Sequence, residues 1–82
     1  MLDKELYMRQ IEKAWKIVEV KDKQYGSNWK RMPLEVMLWR INDKSNRTVS
    51  GLVDKEKIAS DLKDIINYAV FCLARLEEDG VR

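Results

Sequence analysis

Apolar residues recur every three or four positions in three stretches of this chain, and nowhere alternate as a strand would require. In the first stretch Leu6, Ile11, Ala14, Trp15 and Val18 form the stripe expected to be buried. Asp3 is placed to cap that helix, which is predicted to run to about Gln24. Lys21 and Lys23 near its end suit the helix dipole, and Gly26 offers a left-handed stop. A second helix opens at Pro33, whose missing N–H is not needed in a first turn. Leu34, Met37, Leu38 and Ile41 form its apolar side; Glu35, Trp39, Asp43 and Arg47 form another stripe. It is expected to fade at residues 46–47, leaving residues 48–53 as a loop.

Asp54 caps a third helix, which Gly80 ends. Ile58, Leu62, Ile65, Ala69, Cys72 and Leu76 are expected on one face, yet Ile66, Phe71 and Leu73 make it apolar on other sides too. A helix of that kind needs more cover than two neighbours provide. The expectation is an all-α, three-helix antiparallel bundle that completes its core by homo-oligomerisation, as a dimer or tetramer.

Composition narrows the chemistry. Eighty-two residues make one small domain, here residues 1–82, with little core to spare. Cys72 is the only cysteine, so no disulfide within the chain supplies the missing stability, and its apolar neighbours point to a buried, inert thiol. With no histidine, imidazole acid–base chemistry and the usual zinc sites are excluded, and any metal must be a hard cation held by oxygen. Sixteen basic residues against 14 acidic ones leave a net charge of +2, too weak a field to favour a nucleic acid polymer or an anionic membrane. No apolar run is long enough to span a bilayer, and the first five residues do not read as a signal peptide. A soluble protein in a reducing cytoplasm is the expectation.

The chemistry concentrates on the third helix. Asp61 and Asp64, three residues apart, share one face and are close enough to hold one cation together. Tyr68, one turn on, extends the stripe. The same pattern also describes the solvated acidic face of an ordinary amphipathic helix, and both readings stand on spacing alone.

Taken together, Lys23, Gln24, Tyr25 and Gly26 with Trp29, then Arg40, Ile41, Asn42, Asp43 and Lys44 with Arg47, then Asp61, Asp64, Ile65, Ile66, Asn67, Tyr68 and Ala69 form an ordered set. This set resembles the nucleotide modification associated domain family of small, often phage-borne proteins. More distantly it is similar to the all-α nucleoside triphosphate pyrophosphohydrolases of the MazG and dimeric dUTPase kind. The resemblance spans about residues 21–76. It implies a MazG-like helical bundle in the cytoplasm of a bacterium or phage-infected host, with a nucleotide bound between helices. In MazG-like enzymes E-x-x-E on one helix and E-x-x-D on the next hold magnesium against the phosphates. Asp61 and Asp64 match the second motif. Asp43 matches the end of the first, but Arg40 stands where its other acid belongs, and arginine pairs with phosphate instead of ligating a metal.

The resemblance therefore implies Asp61, Asp64 and Asp43 as catalytic residues, and these with Glu35 as magnesium ligands. Lys44 and Arg47 are candidates to grip phosphate, with Arg40 and Lys23 beside them. Lys30 and Arg31 could reach in from the connector. Tyr25 or Trp29 could stack on a base, and Asn67 or Tyr68 could read its edge. The opposing reading is an interhelical salt-bridge cluster in which Lys44, Arg40 or Arg47 neutralises Asp61 and Asp64. Three functions follow. The first is magnesium-dependent pyrophosphohydrolysis of a nucleoside or deoxynucleoside triphosphate. The second is metal-independent sequestration of a nucleotide, as in a phage counter-defence sponge for a signalling nucleotide. The third is a purely structural helical oligomer.

Overall fold

The computed structural model describes residues 3–25, 28–51 and 54–81; the side chains of residues 22–29 lie outside the description. Three α-helices carry the chain: α1 (Lys4–Tyr25), α2 (Leu34–Ser50) and α3 (Lys55–Glu78), with a short 3-10 turn at Asn28–Arg31. No strand occurs among the described residues.

The ends are written in local chemistry. The Asp3 carboxylate accepts from the Leu6 backbone N–H at 2.8 Å, and Asp54 accepts from that of Lys57 at 3.1 Å. Each satisfies an amide that the first helical turn leaves without a partner. Pro33 lies one place outside α2, and its carbonyl accepts from the Val36 and Met37 amides. At the far end of α3, Gly80 takes φ 90°; Gly80 donates to the Glu77 carbonyl and Val81 to that of Leu76. That paired closure needs a residue tolerant of the left-handed region, which is why glycine stands there.

Two boundaries differ from expectation. The connector contains the 3-10 turn, and α2 runs past residue 47 to Ser50. In that last stretch Thr48 and Ser50 donate their hydroxyls back to the carbonyls of Lys44 and Asn46, a local bond such residues make within a helix.

Both α1 and α2 pack on α3, and both run antiparallel to it. Early α3 meets late α2 through Lys44 and Thr48, and late α3 meets the residues before α2 through Arg75. Ala14 of α1 faces Asn67, and Lys21, two turns later, reaches Asp64. Helix α3 is thus the shared element, and α1 and α2 lie on adjoining sides of it.

The core is slight. Among the described residues only Ala14, Met37 and Cys72 are buried apolar side chains. The stripes read from sequence are correspondingly only partly inside. Leu6, Trp15, Leu38 and Leu62 are exposed, as is Trp39, which keeps 63% of its surface in solvent. Along the stripe from Ile58 to Leu76, Cys72 is buried, Ile58, Ile65, Ala69 and Leu76 are half-buried and Leu62 is exposed. Two neighbouring helices cannot enclose a helix that is apolar on more than one side. No helix among the described residues is long and apolar enough to cross a membrane.

Candidate functional site

Met37, Ile41, Lys44 and Thr48 follow one another by four, three and four residues, which puts all of them on the face of α2 turned to α3. The first two are apolar, and the last two carry the site. Opposite them α3 presents Asp61 and Asp64.

The Lys44 ammonium lies 2.9 Å from Asp64 Oδ2 and 3.9 Å from Asp61 Oδ1. Both carboxylates are largely enclosed, at 14% and 18% exposure, and Lys44 keeps 20%. Thr48 completes the cluster: its hydroxyl is 2.7 Å from the Lys44 carbonyl and 3.1 Å from Asp61 Oδ2. From α1, the more exposed Lys21 ammonium approaches Asp64 Oδ1 at 3.9 Å. Two carboxylates and two ammonium groups make the cluster formally neutral, and all three helices contribute to it.

Arg40 and Arg47 flank Lys44 by one turn on either side, giving α2 a basic stripe along the edge of the joint. Arg47 pairs with Asp43 at 3.3 Å along the helix surface, an exposed pair of the kind that contributes only a few tenths of a kcal/mol. Arg40 is exposed.

The sequence candidates are thereby sorted. Asp61, Asp64 and Lys44 meet. Asp43 turns to Arg47, and Glu35 is exposed in the first turn of α2. Among the described residues no three acidic or thiol side chains converge as a metal site would need. Asn67 is buried, and its Nδ2 donates to the Ala14 carbonyl at 3.0 Å, a contact that fixes how α1 sits on α3. The small Ala14 lets that backbone approach. Tyr68 is partly buried, edge-on to Phe71 with ring centroids 6.2 Å apart. Lys23, Tyr25 and Trp29 have side chains outside the described residues.

Three contributors escaped the sequence reading: Lys21, Thr48 and Arg75. Lys21 sits seven residues after Ala14 and Thr48 four after Lys44, so each shares a stripe with a residue already facing α3. Arg75 donates to the carbonyl oxygens of Lys30 and of Met32, the latter at 3.0 Å, tying the connector to α3. Arg75 also bears on Cys72. Burial pushes that thiol up from its ordinary 9.0, and the nearby guanidinium opposes the rise only in part.

Residues 21–76 match the family model described as nucleotide modification associated domain 1. Neither the curated proteins nor the solved structures supply a significant match.

Proposed function

The chain belongs to the nucleotide modification associated domain 1 family, and we propose that it binds a nucleotide through its phosphates along the α2–α3 joint. The observation that carries this reading is the Lys44 ammonium, held between Asp61 and Asp64. An ammonium has three N–H donors. One is engaged by Asp64 at 2.9 Å, while Asp61 at 3.9 Å attracts the group without a hydrogen bond, which leaves the other two for phosphate oxygens. Because the cluster is formally neutral, a polyanion approaching it meets little net repulsion. Arg40 and Arg47 stand one turn to either side, where guanidinium forks can take further phosphate oxygens in pairs. Freeing Arg47 from Asp43 costs little, since that pair is exposed.

A second reading is magnesium-dependent pyrophosphohydrolysis of a nucleoside triphosphate. What favours it is that two hard oxygen donors converge on one cation. When bound, magnesium would neutralise phosphate charge and favour attack of water on the anhydride. The fit is partial. Asp61 and Asp64 would hold the ion, but Lys44 takes their meeting point and no third acid joins them among the described residues. Lys44 at that meeting point supports binding without metal over hydrolysis.

Calorimetric titration with nucleoside mono-, di- and triphosphates, first in chelator and then in magnesium, separates the two. The proposal expects affinity to rise with phosphate number and to survive the chelator without turnover. Binding only in magnesium, with pyrophosphate released, would favour the second reading. Silence under both conditions would contradict both.

A further inference from the structure

On α3, Ala59, Leu62, Ile66, Ala69, Leu73 and Leu76 follow one another at spacings of three, four, three, four and three. That strict alternation is the seam of a two-helix coiled coil. By helical spacing it lies on a different side of α3 from Asp61, Asp64 and Asn67, which meet α2 and α1, and none of its six positions is buried. Leu62 keeps 49% and Leu73 66% of its surface in solvent. At its C-terminal end the seam opens into a groove of about 690 Å³ lined by Leu73, Leu76, Glu77, Gly80 and Val81.

The chain also exposes too much surface for a monomer. Its accessible area is 6782 Å², about 1,600 Å² above the roughly 5,200 Å² usual for a folded monomer of 9.8 kDa. Its radius of gyration is 13.7 Å, against about 12 Å for a compact domain of this length. Obligate homodimers bury about 1,000–2,500 Å² on each partner, a range that contains this surplus.

We infer that a second copy of this chain covers the seam, its α3 antiparallel to the first across a two-fold axis near residues 67 and 68. Charge chooses the direction. The helix begins with Asp54, Lys55, Glu56 and Lys57, which are formally neutral together, and ends with Glu77, Glu78 and Asp79. A parallel pair would set the three acids against their own copies. An antiparallel pair brings them to the lysines and to the positive end of the partner helix dipole. In that register Leu62 meets the partner's Leu73, Ile66 meets the partner's Ala69, and Ala59 meets the partner's Leu76. A two-fold interface requires such self-matching.

Sedimentation equilibrium on the full chain tests the pairing, with helical circular dichroism as the check on folding. The wild type is expected at the mass of two chains in the micromolar range. Leu73→Glu, at an already exposed position, is expected to weaken association at least tenfold. Val49→Glu, equally exposed but on α2, leaves it unchanged. Direction is read by oxidative cross-linking in a Cys72→Ala background: Leu62→Cys chains mixed with Leu73→Cys chains should link to each other and not to themselves. A wild type at single-chain mass, a dimer indifferent to Leu73→Glu, or self-linking of Leu62→Cys would each overturn the inference.

Discussion

The two ends of the α2–α3 joint are built from opposite materials. Toward the connector, Met37 and Cys72 are sealed from water in what little apolar core the described residues have. Toward Gly51, the same two faces meet through Thr48 and through Lys44, Asp61 and Asp64, charged groups that keep between 14% and 20% exposure. The first end stabilises by burial and packing. The second must give up hydration of three charges to form, and such clusters are often no more stable than the apolar residues that could replace them. A chain so short of core gains little from charge at a helix joint. On the proposed reading, the cluster's use lies in the phosphate it would bind.

The apolar end should be the more sensitive to truncation. Met37→Ala is expected to cost roughly 2–5 kcal/mol, comparable to the whole stability of a domain this size, and urea denaturation would show it as a collapsed midpoint. If Met37→Ala cost less than a change in the charged cluster, the two ends would have been misassigned. At the charged end, Lys44→Met alone strands Asp61 beside Asp64 and is expected to cost on the order of 2 kcal/mol. Replacing the set together, as Lys44→Met with Asp61→Leu and Asp64→Leu, should return stability to within about 1 kcal/mol of wild type. A triple variant that unfolds would make the cluster a structural necessity and weaken the contrast.

The α1–α3 joint sharpens the same comparison, because a single buried hydrogen bond sets it. Asn67→Ala removes the donor to the Ala14 carbonyl and should cost about 1–2 kcal/mol, read as faster hydrogen exchange in α1 than in α2. The smallest effect belongs to Cys72. Its folded thiol titrates above the ordinary 9.0, so its contribution is complete below that pH and is lost as pH rises through the folded value. The stability gap between wild type and Cys72→Ala should therefore hold steady to about pH 9 and narrow above it.

Sequence reasoning found most of what is local. The caps at Asp3 and Asp54, the Gly80 stop and the three helices follow from propensities and hydrogen-bond chemistry that act within one turn. It placed Asp61 and Asp64 on one face for the same reason, and it carried the Lys44 salt bridge as the opposing reading. What it missed depends on how the helices meet. The neighbour of Asp61 and Asp64 is decided by the register of α2, so Thr48 and Lys21 were out of sight while Asp43 and Glu35 looked equally eligible. Exposure of Trp15 and Leu38 was hidden too, because periodicity marks an apolar stripe without saying whether anything in the chain covers it.

The most direct test is to titrate nucleoside triphosphate, in chelator, against wild type and the folded triple variant at Lys44, Asp61 and Asp64. The account predicts saturable binding to the wild type and at least a tenfold loss in the variant at unchanged stability. Equal affinity in the two proteins would contradict it, leaving the cluster as a structural joint and the nucleotide to be sought elsewhere on the chain.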